Sequence, residues 1–393
     1  MKREFYMYVK WNLTKKCTLG CKFCINAQSR KKWNTDTNEE ELKKIIENIS
    51  NVENLKGITL LGGDPLEYEH IHVLTKELEK SNIPFGFITA GEHLYTGQYD
   101  QILRNSKLEF IGLSIDSLNQ EIVKSVRGRD ILDKQIKSLD HLINLRRSED
   151  IKYKIFTNTI LMNVNKDTIV ELIDYFINKN VDKVQILEYN SSGNEKHNFS
   201  ISFTDELELL EKLIVYVEQS HAQVQNKDNR LSKLELCFLP ELGKKYFSDR
   251  VGVPGLRQGS SNVCPVFRGT IFLSNDGLVY PCDSYKPYIR FDEVTGVPDK
   301  VYPIENILEH NLNSIVKGND FFQEFKAIIN KSKNELYSNF EPCQTCDYLL
   351  KTCFPCLISA ENYKDEEIVF GKCVKYKELL AINGQGGAYE KET

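Results

Sequence analysis

Residues 16–24 read Lys-Cys-Thr-Leu-Gly-Cys-Lys-Phe-Cys and place three thiols, Cys17, Cys21 and Cys24, in a C-x3-C-x2-C run. So tight a run cannot close mutual disulfides without strain, and three thiols cannot pair evenly. Thiolates are the ligands of iron–sulfur clusters, and a four-iron cluster normally takes four of them. Three ligands leave one iron open, as catalytic metal sites do to admit a substrate. A zinc loop is the alternative. Of the 11 cysteines in the chain, seven lie in its last third: Cys264, Cys282, Cys343, Cys346, Cys353, Cys356 and Cys373. Proline adjoins four of these (Pro265, Pro281, Pro342, Pro355) and stiffens the loops that would present sulfur to metal. Cys343-x2-Cys346 and Cys353-x2-Cys356 alone would suit one four-thiolate zinc site, which leaves Cys264, Cys282 and Cys373 without a role. The solitary Cys237, between Leu236 and Phe238, reads as a buried apolar thiol.

The elements that must position these thiols follow from hydrophobic patterning. A chain of 393 residues, 41% hydrophobic, exceeds what one core usually organises, so two domains are expected. Strands are predicted over 5–13, 57–61, 83–89, 108–115, 153–162 and 181–187. Helices alternate with them: one from Asn38 with a Thr37-x-x-Glu40 capping box, one over 69–80, a long region reaching about Arg147, and one centred on Leu172, Ile173 and Phe176. This alternation predicts an α/β fold with a parallel sheet or barrel inside helices. Cys17, Gly62, Thr89 and Ser114 each fall at or just past the C-terminal end of a predicted strand, the edge from which such folds assemble active sites. Beyond a polar connector at 190–203 and a helix capped by Thr204, a Gly/Pro/Ser stretch at 251–262 marks a domain boundary.

Charge and hydropathy exclude other classes. A net charge of -5 argues against a phosphate-binding, nucleic-acid surface. No apolar stretch approaches the roughly 20 residues of a membrane span, and the N-terminus lacks a signal-peptide core, so a cytoplasmic protein without a membrane partner is expected. In such a reducing compartment the cysteines argue for metal ligation over a disulfide framework.

The C-x3-C-x2-C run, with the aromatic Phe23 before its last cysteine, resembles the signature of the radical SAM enzymes. The resemblance implies a partial (β/α)6 barrel over roughly residues 1–220 and a [4Fe-4S] cluster held by Cys17, Cys21 and Cys24. It implies that the open iron chelates S-adenosyl-L-methionine, whose reductive cleavage gives methionine and a 5'-deoxyadenosyl radical. It also implies an external electron donor of flavodoxin or ferredoxin type. Gly62-Gly63-Asp64-Pro65 looks like the family's glycine-rich motif at the methionine amino group, with Asp64 where Glu is commoner. Two glycines let backbone approach a ligand closely, although such a turn is also ordinary as structure. Ser114-Ile115-Asp116-Ser117 resembles the ribose-contacting segment, and Arg127 would hold the methionine carboxylate. Ser114 merely ending its strand, and Arg127 on a solvated face, are the structural alternatives.

The later cysteines resemble the SPASM domain, outlined as C-x(9–15)-G-x4-C followed by C-x2-C-x5-C-x3-C and a lone C. Cys264, Gly277 and Cys282 fit with 12 and then 4 intervening residues, and Cys353 departs by one position, giving x6 and x2. The resemblance implies two auxiliary iron–sulfur clusters, one with Cys264, Cys282 and Cys356, the other with Cys343, Cys346, Cys353 and Cys373. The segment from Ile304 to Phe325 looks like the helical link between the domain's halves, and 284–303 reads as an insertion. Expected domains are therefore 1–220 (barrel), 221–253 (bridge), 254–382 (SPASM) and 383–393 (disordered tail). Asp283, directly after Cys282, stands where sulfatase-maturing enzymes are assigned a general base, and serves equally as an Asx-turn residue.

Together these readings predict a radical enzyme that matures a ribosomally made precursor peptide or protein by cross-linking or oxidation. Because Cys17 stands so near the N-terminus, any leader peptide is expected to bind elsewhere or through a separate leader-binding protein. The alternatives are a formylglycine-generating sulfatase-maturing enzyme, and an enzyme acting on a sugar or other small molecule. A zinc-stabilised interaction protein is the non-catalytic rival.

Overall fold

A computed structural model describes residues 7–24, 36–189, 199–223, 233–251, 269–281, 305–318, 343–349, 353 and 366–386. Strand β1 (Met7–Asn12) alternates buried and accessible side chains and is followed by helix α1 (Glu39–Ser50). Then come β2 (Leu55–Leu61), α2 (Ile71–Lys80), β3 (Phe85–Thr89) and β4 (Leu108–Ser114). Helices α3 (Gln120–Arg127) and α4 (Leu132–Ser148) lead to β5 (Lys154–Leu161), α5 (Ile169–Asn178) and β6 (Lys183–Glu188). These strands pair parallel in chain order, as the alternation predicts.

One face of the sheet is a continuous apolar row, with Trp11, Leu60, Phe87, Ile111 and Ile155 in register and buried. It shares its core with Leu42, Ile45, Ile46 and Ile49 of α1 and Leu74 and Leu78 of α2. The other face carries Lys10, Thr59, Phe110, Ser114, Asn158 and Gln185, and is where polar chemistry can be done. The C-termini of these six parallel strands lie along one edge, so the residues after β1, β2, β3 and β4 converge there.

The structure moves several expected boundaries. The α1 capping box is Asn38 with Glu41, because the Thr37 hydroxyl is buried against Tyr68 Oη at 3.1 Å. The long region before Arg147 is two helices, broken by Gly128 at φ 77°. After α6 (Phe203–Gln223), the expected bridge contributes β7 (Leu234–Leu236), which pairs parallel with β6 and so belongs to the barrel's sheet. Helix α7 (Glu241–Val251) follows.

The second half also joins that sheet. Strand β8 (Thr270–Leu273) pairs parallel with the outer side of β1, and β9 (Val279–Tyr280) returns antiparallel. Gly277 turns this hairpin at φ 82°, and a Cβ there would meet Asn306 Oδ1 at 2.5 Å. Helix α8 (Leu312–Gly318) lies within the segment expected to link the halves. Helix α9 (Glu366–Gly386) runs past the expected start of the tail at 383. No helix among the described residues is long and apolar enough to cross a membrane.

Candidate active site

The backbone from Thr14 to Lys16 leaves β1 and delivers Cys17. The turn after β2 runs alongside it: Gly63 N donates to Thr14 O at 2.7 Å and Asp64 N to Lys16 O at 2.9 Å. This contact explains both glycines. A Cβ at Gly62 would stand 2.6 Å from Thr14 O, and one at Gly63 only 2.1 Å from Lys16 O. What they approach is the chain entering the cysteine run. Asp64 is buried and accepts from Thr89 Oγ1, Ala90 N and Leu66 N, which ties the β2 turn to the end of β3. Burial pushes its carboxyl above the usual range against these donors. Pro65 starts a helical turn (Pro65–Glu67) whose Glu67 Oε1 accepts from both Thr18 N and Thr18 Oγ1 at 2.9 Å. Cys17 is thus bracketed on both sides by one turn.

Glu92 takes a further bond from Thr18 Oγ1 at 3.2 Å, and its buried carboxylate pairs with Lys134 at 2.6 Å and Arg129 at 3.0 Å. Burial opposes the Glu92 charge, yet Lys134 and Arg129 outweigh it and hold the carboxyl below its usual range.

The far end of the cysteine loop rests on the C-terminus of α3. Lys22 N donates to Val126 O at 2.8 Å, and a Cβ at Gly128 would lie 3.1 Å from Gly20 O. Phe23 packs with Val126, Met162 and Tyr189. Asp116, just past β4, is buried and paired with Arg127 at 2.6 Å, and also accepts from Ile160 N. The guanidinium therefore points at Asp116, with Cys21 Sγ at 4.0 Å, rather than to solvent. Ser114 ends β4 on the polar face, in register with Asn158.

Four of the later cysteines are described, and all four come from the set assigned to the second auxiliary cluster. Burial, then the Cys373 and Cys346 sulfurs, push the Cys353 thiol up to about 12. Burial, then Cys343 and Cys346, do the same to Cys373. Cys353 and Cys373 thus resist ionising, and bound iron is the positive charge that would relieve this. None of the eight described cysteines is in a disulfide. Cys264, Cys282, Cys356 and Asp283 lie outside the described residues. No three His, Cys, Asp or Glu side chains among the described residues are gathered as around a single ion. Cys237 lies apart, its Sγ 3.5 Å from Glu235 Oε1, with burial raising its thiol to about 12.

Helix α9, which carries Cys373, is anchored on the barrel. Tyr376 Oη donates to the buried Glu206 of α6 at 2.7 Å, and Lys372 bridges Glu206 (2.7 Å) and Glu188 at the end of β6 (3.1 Å). Gly243 of α7 makes room for the Tyr376 ring, which a Cβ would meet at 2.8 Å. Glu67, Glu92, Thr18, Glu206 and Tyr376 carried no motif. Glu67 and Glu92 lie 49 and 74 positions from Thr18, so no local signal in the sequence singles them out.

The donor set fits iron–sulfur ligation: three partly buried sulfurs on a loop pinned at both ends, and a second set of four thiols of which Cys343 is buried and the others partly buried. The comparisons agree. A radical SAM superfamily model matches residues 11–176, and an iron–sulfur cluster-binding (SPASM) domain model matches 264–347. The chain is a radical SAM enzyme with a C-terminal SPASM domain. GTP 3',8-cyclase of Nautilia profundicola is 23% identical over 209 residues, 52% of this chain and 63% of that protein, less than two thirds of its length. GTP 3',8-cyclase of Campylobacter jejuni subsp. doylei is 27% identical over 312 residues, 75% of this chain and 83% of that protein. Among solved structures, Streptococcus suis SuiB bound to precursor peptide SuiA superposes with TM-score 0.66 at 17% identity, over 92% of this chain and 74% of that one. The anSMEcpe structure with bound AdoMet and Cp18Cys peptide gives 0.61 at 17%, over 96% and 99%. At such identities the likeness shows the fold.

Proposed function

We propose that the protein is a peptide maturase, abstracting hydrogen from a side chain or backbone of a ribosomally made precursor to form a cross-link or an oxidised residue. The observation that carries this reading is that the segments bearing Cys343, Cys346, Cys353 and Cys373 are tied to one another and to the barrel: Cys346 N donates to Cys343 O at 3.1 Å, Cys353 N to Tyr348 O at 2.9 Å, Lys377 of α9 to Thr345 Oγ1 at 2.7 Å, and Tyr376 to Glu206 at 2.7 Å. It is supported by SuiB and anSMEcpe, which share the fold and were each solved with a peptide. When bound at Cys17, Cys21 and Cys24, the [4Fe-4S] cluster supplies the electron that cleaves S-adenosyl-L-methionine and so yields the hydrogen-abstracting radical.

The chain's own residues supply position and exclusion. Gly63, Asp64 and Glu67 fix the backbone on either side of Cys17, and the polar face from Ser114 through Asn158 to Gln185 offers donors and acceptors to cofactor and substrate. Cys264, Cys282 and Cys356 are the proposed ligands of the other auxiliary cluster. Asp283 is proposed to take the proton lost as the substrate is oxidised. An external one-electron donor of flavodoxin or ferredoxin type completes the system.

The GTP 3',8-cyclase relatives favour a second reading, a small nucleotide substrate. Anaerobic reaction with S-adenosyl-L-methionine, a reductant and short peptides encoded beside the enzyme separates the two by mass. Loss of two hydrogens from a peptide supports maturation. Reaction of GTP with every peptide unchanged overturns it. Conversion of a Cys- or Ser-containing sulfatase peptide to formylglycine assigns the sulfatase-maturing activity instead. Asp283→Asn should suppress the two-hydrogen product while 5'-deoxyadenosine still forms.

A further inference from the structure

Arg127 is buried at the last position of α3, 5% exposed, and three groups fix its guanidinium. Asp116 Oδ2 receives Nε at 2.8 Å and Nη2 at 2.6 Å, a fork that sets the plane of the group. The Phe23 ring lies beneath, 5.2 Å from Cζ to centroid. The remaining Nη1 reaches Cys21 Sγ at 4.0 Å, a long N–H···S hydrogen bond. Backbone contacts hold the same partners together, through Lys22 N to Val126 O and the close passage of Gly128 against Gly20. The cation is therefore attached to the central sulfur of the cysteine run.

We propose that Arg127 is a positioning residue for the radical cluster, holding the Cys21 sulfur by a charged N–H···S bond and setting how readily the cluster accepts its electron. The inference rests on the assignment of Cys17, Cys21 and Cys24 to that cluster. Hydrogen bonds to ligand sulfurs and nearby charge are the protein's means of setting cluster potential. A buried cation stabilises the reduced, more negative state. Asp116 opposes it in charge while aiming it in geometry.

The test is a redox titration of the anaerobically reconstituted full chain, followed by the electron paramagnetic resonance of its reduced clusters. The signal missing from a Cys17/Cys21/Cys24→Ala variant identifies the radical cluster. Arg127→Gln should lower its potential, cutting the ratio of reduced to oxidised cluster at fixed potential about tenfold, or about 59 mV for one electron. Asp116→Asn, which keeps the cation and removes its counter-charge, should shift the potential the opposite way. Arg127→Lys, which keeps charge without the planar fork, should fall between Arg127→Gln and wild type. A packing role alone would not give shifts of opposite sign. If Arg127→Gln yields no soluble protein, the Asp116→Asn and Arg127→Lys shifts decide. An unchanged potential in Asp116→Asn, or one that moves downward, overturns the proposal. A triple-alanine variant that keeps all its iron would overturn the cluster assignment itself, which is a separate failure.

Discussion

Glu67 Oε1 accepts both the amide and the hydroxyl of Thr18, the residue after Cys17, each at 2.9 Å. One carboxylate oxygen thus fixes the direction in which the chain leaves the first thiol. Glu67→Ala removes two solvent-exposed bonds to a charged acceptor, which water replaces in part, so together they are worth about 1–2 kcal/mol. The variant should release iron from the radical site to a chelator about tenfold faster than wild type, an effect of about 1.4 kcal/mol. Glu67→Gln, which keeps a carbonyl acceptor, should lie between them. A chelator-release rate in Glu67→Ala equal to wild type would show the loop to be held by its other contacts.

Two glycines at the cysteine run make opposite demands. A Cβ at Gly63 would lie 2.1 Å from Lys16 O, whereas one at Gly20 meets nothing within 4 Å. Gly63→Ala should destabilise the fold by about 1–3 kcal/mol, the usual range for overpacking, read as a lower urea midpoint. Gly20→Ala should unfold within error of wild type.

Iron content divides the thiols. Three four-iron clusters correspond to about 12 irons per chain after anaerobic reconstitution. Replacing Cys17, Cys21 and Cys24 by Ala should remove about a third of the iron and all cleavage of S-adenosyl-L-methionine. Replacing Cys343 and Cys346 should spare that cleavage and stop product formation. Because cluster ligation contributes to folding, the second variant should also melt earlier, through loss of the α9 anchor around Cys373. Zinc in place of iron in the wild-type protein would refute the cluster assignments together.

Glu92 sets an acid limit on the loop. Its carboxyl is held below the ordinary 4.5, where burial is outweighed by Lys134 and Arg129. A depressed carboxylate pKa contributes stability that is present above the unfolded value and lost as pH falls through the folded one. The stability difference between wild type and Glu92→Gln should therefore be constant near neutral pH and shrink as pH drops below about 4.5. Urea midpoints measured from neutral to acid pH check this. A difference that grows on acidification contradicts it.

What could be read from residues alone was whatever is local in the chain. The spacing of Cys17, Cys21 and Cys24, the pattern of the later cysteines and the 2-to-3.6 alternation of apolar residues each lie within a short window. They sufficed for the family, the parallel α/β sheet and the strand-end position of Ser114. Tertiary structure decided the partnerships between distant segments. Thr18 meets Glu67 across 49 positions and Glu92 across 74, and Arg127 meets Cys21 across 106. No window holds both members of such a pair. A charged side chain reads as a solvated face until packing removes the water around it and leaves a single partner within reach. For the same reason the tie of Asp64 to Thr89, 25 positions on, shows only in the fold, and a strand as short as Leu234–Leu236 carried too few residues to show a period before β6 gave it a neighbour.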